Sequence, residues 1–368
     1  MEKMKVVVLF GGQSSEHEVS RVSAQSVLEN LNPEKYEIYR IGITKQGRWL
    51  PFNGELSHIG SGLWEQEASS ASDNLPQKAP LCGETLADFL SGLIGVDKLD
   101  VIFPVLHGSN GEDGTIQGLF EMAGIPYVGC GVLSSAAGMD KAVSKVVFEH
   151  AGIPQGKYIV VKRPDIAESF AEIERRVQNE LGYPCFVKPA NAGSSVGISK
   201  VRDAASLRKA LELAGQYDRK LLIEEFIDGR EVECAVLGYD APVASTIGEI
   251  IPCNEFYDYD AKYLDGDSQI IIPAVLDQRI AETVRRYAVA AFKALDCSGL
   301  SRVDFFVEKQ SGKVYINEIN TMPGFTSISM YPKLWEASGL PYGQLLDRLL
   351  ELALERFHEN RKTYERGL

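Results

Sequence analysis

The fold is best predicted from the stretch Ser301 to Ser329, SRVDFFVEKQSGKVYINEINTMPGFTSIS. Its pattern predicts two short strands, Ser301 to Glu308 and Val314 to Asn320. The polar residues 309–313 between them include a glycine and predict a turn. The stretch therefore indicates an antiparallel hairpin. From Pro323 onward we expect a loop of small and hydroxyl residues rather than a new core element.

Polar side chains share one face of this predicted hairpin. Because side chains alternate between the two faces of a strand, pairing puts Asp304 opposite Glu318 or one residue away. The same pairing puts Arg302 near Asn320. Two facing carboxylates repel each other unless a cation neutralises them. The oxygens of Asp304, Glu318 and Asn320 suit Mg²⁺ completed by phosphate, although a solvent-facing hairpin with ordinary charges is the alternative.

Composition limits the class of protein and its partners. The 368 residues, 45% hydrophobic and 24% charged, are typical of a globular protein of two or three domains. A net charge of -13 without a basic block argues against nucleic acid or an anionic membrane as partner. The six cysteines form no C-x-x-C pair, which predicts reduced thiols. With no apolar run long enough for a signal peptide or membrane span, we expect a cytoplasmic protein.

The order of elements predicts three domains. Residues 1–139 alternate strands and helices, which indicates a doubly wound α/β domain. Residues 140–230 predict helices on a mostly antiparallel sheet, an α+β unit, and residues 231–368 predict further strands, a long helix and the opening hairpin. The first glycine turn lacks G-x-G-x-x-G, which weakens the alternative of a nicotinamide dehydrogenase.

The first domain is predicted to contain four strands and one insertion. The strands are Lys5 to Phe10, Tyr36 to Ile43, Asp100 to Leu106 and Pro126 to Gly129. The insertion, Phe52 to Lys98, is weakly patterned, and we predict one helix in it, at Glu84 to Leu93. In the turn after the first strand, Glu16 is either a surface helix cap or an anchor for a substrate ammonium.

Candidate phosphate ligands lie in the second domain. No G-x-x-x-x-G-K-[ST] motif is present, so a nucleotide must be bound without a P-loop. Lys188 ends an apolar strand just before the loop Asn191 to Gly197, and Lys141 opens a helix. The loop amides with Ser194 and Ser195 are well suited to cover phosphates, although a plain turn and two solvated lysines are the alternative.

Two further segments are candidates for substrate contact. Glu224 and Glu225 end an apolar run, and Glu231 follows a turn, so these carboxylates either accept hydrogen bonds from adenine and ribose or lie on an exposed edge strand. The loop Phe256 to Tyr263 mixes aromatic and acidic residues and either covers substrate or is solvated.

These segments together closely resemble the D-alanine:D-alanine ligases, a family with the ATP-grasp fold. The resemblance rests on GGQSSEHEVS, MDK, FVKPANAGSSVG, IEEFIDGREVE, YDYDAKY, SRVDFF and NEINTMPGFTSIS, in this order. It spans nearly the whole chain and leaves out only the insertion. It implies a three-domain ATP-grasp fold, with an N-terminal doubly wound α/β domain and ATP between the second and third domains.

The resemblance also implies the roles of individual residues. ATP would be bound by Lys141, Lys188, Ser195, Glu224, Glu225, Ile227, Glu231 and Lys262. Two Mg²⁺ ions, replaceable by Mn²⁺, would be held by Asp304, Glu318 and Asn320. The first D-alanine would be held by Glu16 and Asp304, the second by Ser329 and Met330. The residues with catalytic roles would be Glu16, Ser194, Tyr263, Arg302 and the Gly324 amide.

The resemblance implies ATP-dependent joining of two D-alanines through an acyl phosphate, for peptidoglycan precursors, by a cytoplasmic homodimer. A D-alanine:D-lactate or D-alanine:D-serine ligase of the same fold is the nearest alternative, and Tyr263 is the position that favours D-alanine. A non-catalytic nucleotide-binding module is an alternative from another class. It would have no use for Arg302 and Asn320 beside two carboxylates.

Overall fold

The computed structural model describes residues 2–72, 99–193, 196–251 and 269–360. Within these ranges the strands form three separate sheets, of four, five and four strands. The mixture of a largely parallel sheet with two antiparallel ones confirms the predicted combination of α/β and α+β architecture.

The N-terminal sheet has the strand order β3-β2-β1-β4. Its strands are β1 Met4–Gly11, β2 Tyr36–Ile43, β3 Trp49–Pro51 and β4 Val101–Pro104. Strand β1 runs parallel to β2 and β4, as a doubly wound unit requires. The prediction of a strand at Pro126 to Gly129 was wrong, because this segment makes only an isolated bridge from Tyr127 to Ile102. The fourth strand is instead the three-residue β3, which is too short for a periodic signal.

Five helices of this unit are described: α1 His17–Asn30, α2 Leu56–Ser61, α3 Trp64–Ser72, α4 Thr115–Ala123 and α5 Val132–Met139. Helices α2 and α3 show that the first part of the predicted insertion is ordered structure. Phe52, Ile59 and Trp64 are buried in the same core as Phe10, and the Trp64 ring packs edge-on against Phe10 with 4.8 Å between centroids. The helix predicted at Glu84 to Leu93 lies outside the described residues.

The middle sheet is antiparallel throughout, as predicted, in the order β5-β8-β6-β7. Its strands are β5 Tyr158–Lys162, β6 Cys185–Pro189, β7 Ser199–Val201 and β8 Lys220–Glu225. The helices of this unit are α6 Lys141–His150, α7 Asp165–Glu168, α8 Phe170–Arg176 with a π-helical turn at Val177–Leu181, and α9 Ala204–Ala214. Asp140 caps α6 through its side chain, which accepts the amides of Ala142 and Val143 and so fixes where Lys141 begins the helix.

The third sheet has the order β11-β10-β9-β12-β13. Its strands are β9 Gly229–Gly238, β10 Val243–Ile251, β11 Gln269–Ile271, β12 Gly299–Glu308 and β13 Val314–Asn320. Helix α10 Gln278–Ala294 covers one face of this sheet with an apolar stripe that includes buried Val284 and Ala291.

The loop after β13 leads into a helix that the sequence did not predict, α11 Met330–Ala337. Its residues Tyr331, Leu334 and Trp335 are buried, so the expectation that no core element follows the hairpin was wrong. The last helix, α12 Tyr342–Glu359, packs its leucines into the core that also contains β1. The third unit therefore shares one hydrophobic core with the first. Within the described ranges, no helix has the length and apolar character needed to cross a membrane.

Candidate active site

A cleft with a volume of about 1010 Å³ is lined by residues of all three units. Glu16 comes from the first, Lys188 and Glu224 come from the second, and Asp304 and Asn320 come from the third. The cleft therefore brings together residues that are far apart along the chain.

The hairpin β12–β13 has the register that the sequence predicted. Asp304 pairs with Glu318, and Arg302 pairs with Asn320. All four side chains line the cleft. The Asn320 amide nitrogen donates to Asp304 Oδ2 over 3.0 Å, so the Asn320 amide oxygen takes no part in this hydrogen bond.

Arg302 is held by two carboxylates. Its Nε and Nη2 donate to the two oxygens of Asp304, each over 2.7 Å, and its Nε lies 2.8 Å from Glu233 Oε2. Burial disfavours the guanidinium charge, but Asp304 and Glu233 outweigh it and keep the pKa of Arg302 well above its ordinary value. Arg302 is therefore a fixed positive charge in the cleft.

The donor set of this hairpin fits the implied magnesium ions. Asp304 and Glu318 supply carboxylate oxygens and Asn320 supplies an amide oxygen, which are the ligands of a hard cation. The part of the chain that the structure describes holds no cluster of three His, Cys, Asp or Glu residues arranged for a metal. Such a sparse set is typical of Mg²⁺ that keeps water and phosphate oxygens as its other ligands.

The two candidate phosphate lysines reach the cleft from different elements. Lys141 Nζ donates to the carbonyl oxygen of Ala192 over 2.9 Å and lies 3.4 Å from Glu318 Oε2. Lys188, at the end of β6, places its Nζ 2.8 Å from Glu224 Oε2. Both side chains are nearly buried, at 11% and 7% exposed, so the alternative of two solvated lysines was wrong.

The strand β8 and the turn after it place the predicted adenine and ribose ligands in the cleft. Glu224 is buried, and although burial disfavours its ionisation, Lys145 and Lys188 outweigh this and hold its pKa below the ordinary value. Glu225 also lines the cleft, and its Oε1 accepts the Lys157 amide over 2.7 Å. Ile227 and Glu231 line the cleft beyond it. Because Glu224 is buried and lines this cleft, an exposed edge strand does not describe it.

Glu16 lies at the first-unit side of the cleft. It is buried, and its side chain makes no capping hydrogen bond with the described backbone of α1, so the alternative of a surface cap was wrong. A side chain at Gly108 or Gly193 would meet Glu16 Oε2 at 2.6 or 2.5 Å, so both glycines allow its close approach. His107 lines the cleft nearby and is also satisfied, by the Met322 carbonyl at 3.1 Å and Ser23 Oγ at 3.0 Å.

A second carboxyl group lies close to Glu16. Glu112 Oε1 accepts the Gly108 amide over 2.5 Å, and Gly108 is the residue against which Glu16 packs. Burial and the charge of Glu16 raise the pKa of Glu112 to about 8, which means that it carries its proton at neutral pH. A protonated Glu112 adds no negative charge to this end of the cleft.

The loop from Pro323 to Ser329 forms the far end of the cleft. Ser329 Oγ accepts the Thr326 amide over 3.0 Å and lies 2.8 Å from Thr326 Oγ1. Ser329 is also the N-cap residue of α11, so the first backbone amides of this helix begin at Met330. Helix N-termini favour anionic groups, which suits the carboxylate of the second D-alanine that the resemblance implies at this position. Gly324 lies against Ser329, because a side chain at Gly324 would meet Ser329 Oγ at 2.8 Å.

Four predicted site residues, Ser194, Ser195, Lys262 and Tyr263, lie outside the described residues. Three cleft or near-cleft residues were missed by the sequence analysis: Glu233, Glu112 and Lys145. Glu233 carried no local signal, because its partner Arg302 is about 70 residues away and pairs with it only through the sheet. Lys145 had a signal, since it follows Lys141 by one helical turn and so shares a helix face with it.

The chain is similar to known proteins over its full length. It is 56% identical to the D-alanine--D-alanine ligase of Ruminiclostridium cellulolyticum, with 100% of both chains covered, and 56% identical to that of Acetivibrio thermocellus, with 99% of both covered. Its structure resembles a Coxiella burnetii D-alanine-D-alanine ligase, with a TM-score of 0.82, 37% identity, and 98% and 96% of the two chains covered. It also resembles the structure of an Enterococcus faecalis D-Ala:D-Ser ligase, with a TM-score of 0.82 and 41% identity over 96% of this chain and 100% of the ligase.

Family models match both halves of the chain. The D-ala D-ala ligase N-terminus model matches residues 5–130, a range that includes the insertion, and the D-ala D-ala ligase C-terminus model matches residues 147–351. The three sheets agree with the ATP-grasp fold of these ligases. With these matches added to the hairpin register and the shared cleft, the chain belongs to the D-alanine--D-alanine ligase family.

Proposed function

We propose that this protein joins two D-alanine molecules into D-alanyl-D-alanine with the hydrolysis energy of ATP, for peptidoglycan precursor synthesis. The observation that carries the proposal is the single cleft in which Arg302, Asp304, Glu318 and Asn320 face Lys188 and Glu224 of another sheet. Fixed cations, magnesium ligands and a nucleobase acceptor in one cavity are what phosphoryl transfer to a small carboxylate requires.

The chemistry requires activation because a carboxylate has no good leaving group. An oxygen of the first D-alanine's carboxylate attacks the γ-phosphorus of ATP, the bond to the bridging oxygen breaks, and ADP leaves. The amine of the second D-alanine attacks the resulting acyl phosphate. The C–O bond then breaks, inorganic phosphate leaves, and a proton is lost from the new amide nitrogen.

We assign the first D-alanine to the Glu16 end of the cleft. Glu16, buried beside Gly108 and Gly193, would accept from the substrate ammonium. Glu112, whose pKa is raised to about 8, would not add a second negative charge beside the ammonium. The family resemblance also implies that Glu16 connects through Ser194 to Tyr263, and we include this connection in the proposal.

We assign the phosphates to the region between Lys141 and Lys188, whose ammonium groups lie near Glu318 and Glu224 respectively. Glu224, Glu225, Ile227 and Glu231 would bind the adenosine, with Ser195 and Lys262 covering the phosphates. Mg²⁺ held by Asp304, Glu318 and Asn320 would neutralise the β- and γ-phosphates during transfer.

We assign the second D-alanine to the loop before α11. Its carboxylate would meet Ser329 and the amide of Met330 at the N-terminus of α11. Arg302, oriented by Asp304 and Glu233, would stabilise the oxyanion of the tetrahedral intermediate together with the Gly324 amide. In this proposal the N-terminus of α11 would hold the carboxylate of the second D-alanine, and Arg302 would act on the carbonyl that its amine attacks.

We propose three domains, residues 1–139, 140–230 and 231–368, that close on ATP, and a homodimer that acts in the cytoplasm. Closure would exclude water from the acyl phosphate, which would otherwise hydrolyse.

D-serine as the second substrate is the alternative with a specific observation behind it, because a similar structure of the same TM-score is a D-Ala:D-Ser ligase. The test is ADP release with Mg-ATP and, side by side, D-alanine, L-alanine, D-serine with D-alanine, and D-lactate with D-alanine. We expect D-alanine alone to give the fastest release and L-alanine to give background. Release that requires D-serine would assign the alternative, and no release with any substrate would favour a binding module.

A further inference from the structure

The carboxylate of Glu224 lies between two ammonium groups. Lys188 Nζ is 2.8 Å from one oxygen, Oε2, and Lys145 Nζ is 3.3 Å from the other, Oε1. Each carboxylate oxygen therefore has its own lysine, and both lysines come from other elements of the same unit, β6 and α6.

The two lysines differ in their access to the cleft. Lys188 lines the cleft, as do Glu224 and Lys141, whereas Lys145 is not among the described residues that line it. The Lys145 side chain is 2% exposed and its Nζ lies 5.4 Å from the ring centroid of Tyr158, while Gln155 Nε2 donates to the Lys145 carbonyl over 2.8 Å. Lys145 is thus buried next to Glu224 and is not part of the described lining of the cleft.

This arrangement has a consequence when a nucleotide enters. Phosphate oxygens in the cleft compete with Glu224 for Lys188, whose ammonium is the accessible one. They do not compete for Lys145. A buried carboxylate that lost both partners would take up a proton, because burial disfavours its charged form. Lys145 is therefore the charge that remains behind Glu224 while the site is in use.

We propose that Lys145 is a positioning residue for nucleobase specificity, holding Glu224 ionised and oriented so that it only accepts hydrogen bonds from the base. An ionised carboxylate accepts from the 6-amino group of adenine but repels the 6-keto oxygen of hypoxanthine. A protonated carboxyl can donate to that oxygen. Loss of Lys145 should therefore weaken the preference for 6-amino over 6-keto purines. The inference rests on the proposed function in one respect, which is that a purine base binds at Glu224.

The burial of Lys145 also supports its role as a positioning residue for Glu224. Desolvation lowers the pKa of Lys145, and Glu224 is the largest opposing influence. The two groups are each other's main compensation, since the carboxylate in turn owes part of its lowered pKa first to Lys145 and then to Lys188. Lys145 thus acts on the charge of Glu224 and does not only fill space beside it.

The test compares Lys145→Met with wild type and with Lys162→Met, a matched control at the exposed last residue of β5 in the same unit. The measurement is kcat/KM for ATP against ITP, with direct binding of ADP and IDP by calorimetry. We expect Lys145→Met to reduce the ratio of kcat/KM for ATP to that for ITP by at least about tenfold, because a protonated Glu224 no longer repels the 6-keto oxygen. Lys162→Met should keep the wild-type ratio.

An unchanged ratio in Lys145→Met, with turnover of both nucleotides reduced alike, would overturn the proposal and leave Lys145 a structural residue. Thermal melts establish that each variant is folded. If Lys145→Met does not fold, Lys145→Gln takes its place with the same two outcomes. The binding ratio of ADP to IDP decides the role of Lys145 even if no D-alanine is ligated, so the two proposals fail separately.

Discussion

Asp304 lies directly opposite Glu318 across the β12–β13 ladder, with both oxygens of Asp304 held by Arg302. Facing carboxylates destabilise a ladder unless positive charge lies near them. Arg302 supplies one such charge and Lys141, 3.4 Å from Glu318, supplies another. Positive charge therefore lies beside both carboxylates, and we propose that a cation bound together with a phosphate completes this arrangement.

Replacing Arg302 by alanine should nearly abolish turnover while nucleotide binding persists. Without the guanidinium the oxyanion has lost a fixed cation, and we expect kcat to fall by about 10² to 10³. The measurement is ADP release at saturating ATP and D-alanine, with ADP affinity by calorimetry. Arg175→Ala, which breaks an exposed pair with Glu172, is the control and should leave both unchanged. Ordinary turnover in Arg302→Ala would show that the hairpin holds metal and little more.

Glu318→Gln should weaken magnesium binding more than it weakens stability. One carboxylate of a sparse ligand set is lost, so the Mg²⁺ concentration for half-maximal activity should rise by about tenfold or more. Chelation by EDTA should stop wild-type turnover, and added Mg²⁺ should restore it. The exposed Glu355→Gln serves as control. If Glu318→Gln has the wild-type Mg²⁺ dependence, this carboxylate is not a ligand.

Gly324→Ala should impair binding of the second D-alanine. The added Cβ would meet Ser329 Oγ at 2.8 Å, which displaces the hydroxyl assigned to the substrate carboxylate. We expect KM for the second D-alanine to rise by about tenfold or more, with KM for ATP nearly unchanged. Gly118→Ala, whose Cβ would meet nothing within 4 Å, is the matched control. Equal effects on both Michaelis constants would contradict the assignment of this loop.

Glu112 makes stability depend on pH in a defined direction. Its pKa is raised from 4.5 to about 8, so the folded protein keeps a proton that the unfolded chain loses. This contribution is complete below pH 4.5 and is lost as pH rises to about 8, by up to about 1.4 kcal/mol per pH unit. Glu112→Gln keeps the acceptor for the Gly108 amide without titrating.

The measurement for Glu112 is thermal unfolding of both proteins from pH 5 to pH 9. The stability of Glu112→Gln relative to wild type should increase steadily toward pH 8 and then level off. Glu121→Gln provides the control for carboxylate removal elsewhere in the first unit. A relative stability of Glu112→Gln that is the same at pH 5 and pH 8 would mean that Glu112 ionises normally.

The sequence predicted the parts of the site that depend on local periodicity. The hairpin register followed from the period of two and a short turn, and the start of a helix at Lys141 was also predicted. Helix α11 was missed because Pro332 interrupts a short pattern, although proline is tolerated in a first helical turn.

Tertiary partners could not be predicted in the same way. Lys145 and Glu224 are about 80 residues apart, and Arg302 and Glu233 about 70, and only packing of the sheets brings them together. The burial of Glu112, which decides its protonation, likewise depends on neighbours from separate elements. Charge and residue type therefore predicted the candidate site residues. The neighbouring groups that orient them or shift their pKa values could be identified only from the structure.

The most direct test of the central claim follows an oxygen atom. D-alanine labelled with ¹⁸O in its carboxylate is incubated with the protein, Mg²⁺ and ATP, and phosphate and dipeptide are analysed by mass spectrometry. An acyl phosphate breaks its C–O bond when the amine attacks, so one labelled oxygen should appear in inorganic phosphate for each D-alanyl-D-alanine formed. ADP without dipeptide, or dipeptide with unlabelled phosphate, would contradict the account.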